Sequence, residues 1–277
     1  MIFIIIIIIL IIIIIVVKKY MYNINEYAKK YYNKNAIIVN KFIENSTPKN
    51  QVIPLNIFTT WHTKNLTPSM WKAITLVKTI NPEFQYYLYD QNECIEFIKN
   101  NFDKDVLDAY NNLIPLAYKS DLWRYCILYI YGGIYMDIKF TPVNNFKFIN
   151  LTDKEYFCLE YPQSYLKFYY GICNGLIISK PKNTILLDCI NKIVNNVKKK
   201  EYSHNPLYPT GPGLLGEIYF SKYNVKTIQL FITVDPFSII YKNTIILQMY
   251  ENYRKDQHNI SPIPNYNILW KNKQIYL

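Results

Sequence analysis

Short apolar runs and helical patterns of apolar residues follow one another along most of the chain. Apolar runs bounded by turn residues indicate buried strands, whereas apolar residues three and four positions apart indicate helices. Strands that alternate with helices predict crossover connections around a mainly parallel sheet flanked by helices, which is an α/β fold. The predicted strands cover residues 53–60, 84–89, 134–138, 155–160 and 176–179, and the predicted helices cover residues 68–80, 90–100, 116–131 and 184–199.

The amino terminus has a different pattern, because residues 2–17 are all apolar and nearly all isoleucine. As a helix this run spans about 24 Å, a little less than the roughly 30 Å hydrocarbon core of a bilayer. A cleaved signal peptide would have a basic start and a small-residue cleavage site, and neither is present. We therefore predict a single-pass transmembrane helix in residues 1–19, a stem or linker in residues 20–51 and one domain in residues 52–277.

The orientation of this predicted anchor is open at the level of sequence. Several lysines follow the apolar run, and the positive-inside rule would then keep the main domain in the cytoplasm. These lysines are Lys18, Lys19, Lys29, Lys30 and Lys34.

The chain is basic, with 31 Lys and Arg against 20 Asp and Glu and a net charge of +11. All but two of these cations are lysines spread along the sequence; the arginines are Arg124 and Arg254. A nucleic-acid-binding surface is typically clustered and richer in arginine, so we expect no nucleic-acid partner. The five cysteines form no CxxC pair and have no histidine at metal-ligand spacing, which predicts buried free thiols.

The segment from Ala117 to Lys139 contains several residues that could bind a ligand or take part in catalysis. Asp121 and Arg124 are three positions apart and share one helix face. Such a pair is commonly a surface salt bridge of small value, but its neighbours here are apolar, and a buried charged pair is costly unless a ligand or partner uses it. The helix then passes through two glycines into a strand that ends at Asp137. Ligands of α/β sheets bind beyond such strand ends, so we predict a functional site there.

This segment resembles glycosyltransferase family 32, the DXD-motif glycosyltransferases that include α-mannosyltransferases and mannosyl-inositol-phosphoceramide synthase subunits. Glucosylating bacterial toxins carry a similar block. Shorter segments at residues 53–61, 81–90, 174–181 and 210–212 resemble other parts of the family, so the resemblance covers about residues 52–270. The matching residues of the main block are Ser120, Asp121, Arg124, Tyr125, Leu128, Tyr129, Gly132, Gly133, Ile134, Tyr135 and Asp137.

The resemblance implies a GT-A fold, which is Rossmann-like, and a nucleotide-sugar donor such as a UDP- or GDP-hexose. It implies transfer of mannose, glucose or galactose with retention of configuration to a glycan, lipid or protein acceptor. For the membrane anchor it implies a lumenal domain, opposite to the orientation that the lysines favour. No separate nucleophile is needed, because stabilising a departing diphosphate is mainly positioning and electrostatics.

The resemblance also assigns roles by position. Asp121, Arg124 and Asp137 would be catalytic, and Asp137 would in addition contact a divalent ion, Mn²⁺ or Mg²⁺. Trp61 would stack on the donor base, and Trp270 would close over the diphosphate. The donor-binding set would comprise Trp61, Asp121, Arg124, Tyr135, Asp137, Lys139, Asn174, Gly211 and Trp270.

One residue departs from the family pattern, because Lys139 stands where the DXD motif has its second aspartate. Two carboxylates suit a hard divalent ion, and one carboxylate beside an ammonium does not. Three interpretations remain open at this point. In the first, Lys139 itself neutralises the diphosphate and little metal is needed. In the second, Asp137 and a group near the C-terminus bind Mn²⁺ or Mg²⁺ more weakly, with Lys139 turned aside. In the third, the protein is a catalytically inactive relative that binds a nucleotide sugar or glycan.

Overall fold

The computed structural model describes residues 6–16, 48, 50–160, 171–234 and 237–277. Within these residues one nine-stranded sheet forms, in the order β2-β1-β3-β6-β5-β7-β8-β9-β4. The strands are β1 (Asn56–Thr60), β2 (Gln85–Tyr89), β3 (Gly133–Met136), β4 (Phe140–Pro142), β5 (Tyr156–Leu159), β6 (Ile172–Ser179), β7 (Leu230–Val234), β8 (Phe237–Tyr241) and β9 (Thr244–Met249).

Helices connect the strands in the first two thirds of the chain and close the fold at its end. Among the described residues they are α1 (residues 6–16), α2 (Pro68–Ile80), α3 (Gln91–Asn101), α4 (Lys104–Asn112), α5 (Leu116–Tyr131), α6 (Thr184–Lys198), α7 (Pro212–Lys222), α8 (Tyr253–Ile260) and α9 (Tyr266–Lys271). Short 3₁₀ helices occupy Phe148–Leu151 and Val225–Thr227.

The α/β class is confirmed, but the prediction of a mainly parallel sheet is wrong. Only β1 with β2, β1 with β3, and β5 with β7 are parallel, and the other five neighbouring pairs are antiparallel. The turn between β8 and β9 shows one cause. Lys242 and Asn243 both have positive φ, 49° and 61°, as in the primed turns of tight hairpins. This turn lacks the usual Asn-Gly signal, so the sequence pattern does not predict the hairpin.

The predicted elements of the first half lie close to the observed ones. Helices α2 and α5 have the predicted bounds, and β1, β2, β3 and β5 lie within one to three residues of theirs. The predicted elements do not include helices α4, α7, α8 and α9 or strands β4 and β7 to β9. Strand β6 begins at Ile172, four residues before the predicted start, because it pairs with both β3 and β5.

Helix α5 lies at the centre of the fold and buries ten of its side chains. It packs with α6 and α7 against one face of the sheet, where alternate strand residues such as Phe58 and Tyr135 point. Ile57 and Ile134 point to the opposite face and a second core. A helix buried on nearly every side shows little amphipathic pattern. Apart from Lys119, Ser120, Asp121 and Arg124, its residues are apolar or aromatic.

A buried lysine fixes the start of this helix. The Nζ atom of Lys119 donates to the carbonyl oxygens of Tyr110 and Asn111, at 2.7 and 3.3 Å. These carbonyls belong to the last turn of α4, where they have no partner within the helix. Burial lowers the pKa of Lys119 to about 8. The lysine therefore joins the end of α4 to the beginning of α5.

The predicted amino-terminal anchor is described only in part. Residues 6–16 are helical and expose their apolar side chains, with Ile6 48% and Val16 60% exposed. Within the described part of the chain, no helix has both the length and the apolar character needed to cross a membrane. Residues 1–5 and 17–19 of the predicted anchor, and residues 20–47 and 49 of the predicted stem, lie outside the described residues.

The five cysteines are buried and free, as their scattered positions predict.

Two glycines connect α5 to β3. Gly132 has a φ of 60° and donates its N–H to the carbonyl of Leu128 at 2.8 Å, which ends the helix. Gly133 has a φ of 108°, and a Cβ there would lie 2.7 Å from the backbone oxygen of Asn56 in β1. Strand β3 can therefore approach β1 only because Gly133 lacks a side chain, and a Cβ at Gly132 would lie 2.6 Å from Pro181.

We expect Gly133→Ala to lower the free energy of unfolding by at least about 2 kcal/mol, because it combines backbone strain with a clash against β1. Urea denaturation followed by circular dichroism measures the change. Lys200→Ala is the control, since Lys200 is exposed and already carries a Cβ at a φ of 48°. Equal stability of both variants would contradict the prediction.

Candidate active site

The carboxyl ends of β1 and β3 meet at one edge of the sheet. These strands are parallel and pair Phe58 with Tyr135, so Trp61 and Asp137, which follow their ends, lie at the same edge. The hydroxyl of Thr59 also donates to the Met136 carbonyl at 2.8 Å. Helix α5 brings Asp121 and Arg124 to this edge, as the sequence predicts.

Arg124 is the centre of the charged cluster, and only 6% of its side chain is exposed. Its guanidinium lies 3.5 Å from Asp121 Oδ1 and 3.5 Å from Asp137 Oδ1. It also lies over the ring of Tyr135, with its carbon 4.3 Å from the ring centre. Burial by itself would lower the pKa of Arg124, but Tyr135 and the two carboxylates outweigh it and raise the pKa.

Backbone carbonyls hold the same guanidinium from two sides. Its Nε donates to the Ser120 carbonyl at 3.0 Å within α5, and its Nη1 donates to the carbonyl of Asn174 in β6. A planar guanidinium with fixed donors suits such a multiply bonded position. Arg124 thus connects α5, β6 and the turn after β3.

Asp121 is buried and bonded through both of its oxygens. Oδ1 accepts a hydrogen bond from Asn174 Nδ2 and Oδ2 accepts one from the Thr210 hydroxyl, both at 2.8 Å. A Cβ at Gly211 would lie 3.2 Å from Oδ2. Burial raises the pKa of Asp121 despite Arg124 and the two donors. Asp121 therefore serves mainly to orient the neighbouring side chains of the site, because both of its oxygens are buried and already hydrogen-bonded.

Asp137 and Lys139 form the more accessible side of the cluster, with 21% and 15% of their side chains exposed. Asp137 Oδ1 accepts from the Tyr135 hydroxyl at 2.9 Å, and Oδ2 lies 2.6 Å from Lys139 Nζ. Burial would raise the pKa of Asp137, but Lys139 and Arg124 outweigh it and hold the pKa below its usual value. Asp137 is therefore ionised at neutral pH, with a cation on each oxygen.

Asn174 leaves one polar atom without a partner. Its Nδ2 donates to Asp121 and to the Tyr125 hydroxyl, whereas its Oδ1 is buried and unbonded. An unpaired buried acceptor costs roughly 1–3 kcal/mol. This oxygen is a candidate acceptor for a ligand hydroxyl. Gly175 follows, and a Cβ there would lie 2.9 Å from Asp137 Oδ2.

Trp61 and Tyr253 form the aromatic side of the edge. Their rings meet edge to face with centres 6.4 Å apart, and the Trp61 indole N–H is buried without a partner. Burial raises the pKa of Tyr253 to about 12, although the nearby Lys139 opposes this rise. A small cleft of about 20 Å³ opens beside Trp61, between Thr60, His62 and Ser120.

Trp270 lies in α9. Its indole N–H donates to the carbonyl of Tyr202 at 2.7 Å, and Lys273 lies over its ring. The structure therefore brings together Trp61, Asp121, Arg124, Tyr135, Asp137, Lys139, Asn174 and Gly211. Trp270 contacts Tyr202 and Lys273 instead of these residues.

Sequence reasoning missed Thr210 and Tyr253 as site residues. Thr210 belongs to a Thr-Gly-Pro segment in which the family resemblance assigns a role only to Gly211, and its hydroxyl donates to Asp121. Tyr253 comes from α8, more than a hundred residues after Lys139, and no local pattern marks it.

The cluster does not fit a divalent metal. Such an ion takes several oxygen ligands, but both Asp137 oxygens already face Tyr135, Arg124 or Lys139. Lys139 places an ammonium at the position where the second aspartate of the DXD motif would bind the metal ion. Within the described ranges no group of three or more His, Cys, Asp or Glu side chains is arranged to hold a metal ion.

Paired carboxylates and cations at the carboxyl edge of an α/β sheet are suited to binding a polar, negatively charged substrate. The class of protein that this fold and site define is the glycosyltransferases. The model of the family described as "Glycosyltransferase sugar-binding region containing DXD motif" matches residues 18–158, just over half of the chain. This protein belongs to that family, whose members commonly use a divalent metal.

Several relatives support this assignment. A mannosyl phosphorylinositol ceramide synthase of Saccharomyces cerevisiae, SUR1, is 32% identical over 106 residues, which are 38% of this chain and 27% of that protein. An uncharacterized glycosyltransferase of Acanthamoeba polyphaga mimivirus, L373, is 33% identical over 107 residues, 38% of this chain and 41% of that protein.

The chain therefore matches less than half of the length of these relatives. Among solved structures, the PaToxG glycosyltransferase is similar with a TM-score of 0.48 and 18% identity, covering 74% of this chain and 78% of that one.

We expect Asp121→Ala to lower the free energy of unfolding by about 3–5 kcal/mol, because it leaves Arg124 buried with one carboxylate fewer. Asp105→Ala is the matched control, since Asp105 pairs with Lys198 on the surface and its loss costs less than about 1 kcal/mol. Chemical denaturation compares the two. Similar losses in both variants would show that the buried cluster does not stabilise the fold.

Proposed function

We propose that this protein is a GT-A-type glycosyltransferase that moves a hexose from a nucleotide-sugar donor to a glycan, lipid or protein acceptor. The observation that carries the proposal is the cluster of Asp121, Arg124, Asp137 and Lys139 at the carboxyl edge of the sheet. Membership of the family supports the reaction class. The names of relatives, including an inositol phosphoceramide mannosyltransferase of Schizosaccharomyces pombe, make mannose the first sugar to test.

The proposed reaction uses this cluster mainly for charge and position. Arg124 is held by carbonyls and carboxylates, so it needs little reorganisation when negative charge develops nearby. Asp137 is ionised and partly exposed, which suits it to accept hydrogen bonds from donor hydroxyls. Asn174 Oδ1 offers a further acceptor. We include retention of configuration in the proposal, and the anomeric configuration of the product, read by NMR, tests it.

Trp61 supplies the surface for the donor base in this proposal. Its ring lies at the same sheet edge as Asp137 and is supported by Tyr253. An aromatic ring stacks on any base. We assign Trp270 a structural role rather than a donor contact, because its N–H already bonds Tyr202.

The proposal is tested with the full chain and a panel of GDP-mannose, UDP-glucose and UDP-galactose. We expect one donor to release its nucleoside diphosphate, and Asp137→Asn to reduce this rate by about 100-fold or more, since a preorganised electrostatic group is lost. Asp105→Asn, on the surface, is the matched control and leaves the rate unchanged.

Two other outcomes separate the alternatives. A donor that binds in calorimetry but is not consumed with any acceptor would favour the second candidate, an inactive nucleotide-sugar-binding relative, for which the Lys139–Asp137 ion pair is the structural argument. A panel in which no donor binds would reject both.

We further propose that residues 2–17 attach the protein to a membrane. The support is the helix of residues 6–16, whose isoleucines are about half exposed all along its length. Side chains of this kind are unfavourable in water and favourable in lipid.

We expect the full chain to float with lipid vesicles in a density gradient. A variant carrying Ile9→Asp and Ile12→Asp should remain in the aqueous fraction, because a charged side chain in the hydrocarbon region costs about 2.5–3.5 kcal/mol. Trp71→Asp, which changes an exposed apolar residue of α2, is the control and still floats. Equal flotation of the chain and the double variant would contradict attachment through this segment.

A further inference from the structure

Lys139 is held in place more firmly than a surface lysine. Its Nζ lies 2.6 Å from Asp137 Oδ2, and it also lies 5.1 and 5.0 Å from the ring centres of Phe140 and Phe237. These two rings stack on each other at 5.8 Å. The Lys139 carbonyl accepts the N–H of Tyr250 at 3.0 Å. The ammonium is therefore fixed at one point of the site, and 15% of the side chain stays exposed.

The charges of the cluster balance without a metal ion. In formal charge, the carboxylates of Asp121 and Asp137 contribute two negative units, and Arg124 and Lys139 contribute two positive ones. With aspartate at position 139 the same four positions would carry a net charge of two negative units. That deficit is the charge of one divalent cation, so the change from aspartate to lysine supplies the charge that a metal ion would bring.

The position of the ammonium also opposes metal binding. A divalent cation bound to Asp137 Oδ2 would lie within a few ångströms of Lys139 Nζ, and two like charges at that distance in a buried site repel strongly. The other Asp137 oxygen accepts from Tyr135 and faces Arg124.

An ammonium retains binding capacity after it pairs with Asp137. It has three N–H donors, and Asp137 Oδ2 accepts from one of them. The other two can donate to phosphate oxygens, for which lysine acts as a point charge.

We infer that Lys139 replaces the divalent metal of the DXD motif and neutralises the diphosphate of the donor, so that the reaction proceeds without a metal ion. This inference rests on the proposed function and specifies how its leaving group is stabilised. In the transfer step, the bond between sugar C1 and the diphosphate oxygen breaks and its electron pair stays on that oxygen. The acceptor hydroxyl oxygen bonds to C1, and its proton passes to the diphosphate.

The first test measures donor turnover by the full chain in excess EDTA and in Mn²⁺ or Mg²⁺. We expect wild-type rates that agree within about twofold, since the charge is built into the chain. Lys139→Met should lose about 100-fold or more in both conditions, and Lys139→Arg, which keeps the charge, should retain EDTA-resistant turnover. Lys198→Met is the matched control, because it removes the lysine of a surface Lys–Asp pair. Wild-type turnover that stops in EDTA and returns with Mn²⁺ would overturn the inference and leave the proposed function intact.

The second test needs no donor turnover. Electron paramagnetic resonance measures Mn²⁺ bound to the wild-type chain and to Lys139→Asp, with circular dichroism to confirm folding. We expect Mn²⁺ to bind Lys139→Asp at least about tenfold more tightly, because this substitution restores a second carboxylate. Equal Mn²⁺ affinity of the two proteins would overturn the inference even if no donor of the panel is used.

Discussion

The buried Arg124 guanidinium between Asp121 and Asp137 is the interaction on which the site depends. A buried charge is tolerated only when partners compensate its loss of water. The partners come from α5 itself, from the turn after β3 and from the backbone of β6. The cluster therefore exists only when these three elements have assembled, which couples the geometry of the site to the fold.

Glycines make this assembly sterically possible. Gly133 lets β3 approach β1, Gly175 leaves room for the Asp137 carboxylate, and Gly211 leaves room for the Asp121 carboxylate. The chain has only seven glycines, and these three lie where a Cβ would contact the site or the strand that carries it.

The accessible side of the cluster differs in character from the buried side. Asp121 and Arg124 are almost fully enclosed, whereas Asp137 and Lys139 are reached by solvent. A ligand therefore meets an ion pair whose positive member is free to bond further. In the proposed reaction the protein therefore acts by stabilising the leaving group and supplies no nucleophile of its own.

The sequence by itself determined the helix that carries Asp121 and Arg124, the strand end at Asp137, and the family. These features are local, because helical periodicity, the paired glycines and a contiguous motif all lie within residues 117–139. Only the tertiary structure decided the antiparallel half of the sheet, because β7 to β9 pair through turns without a strong local signal. It also decided the environment of Lys139, since Phe237, Tyr250 and Tyr253 approach it from about a hundred residues away. How deeply a charged side chain is buried, and which groups it contacts, depends on residues that are distant in the sequence. Such contacts decide whether a lysine faces solvent or completes a charged site.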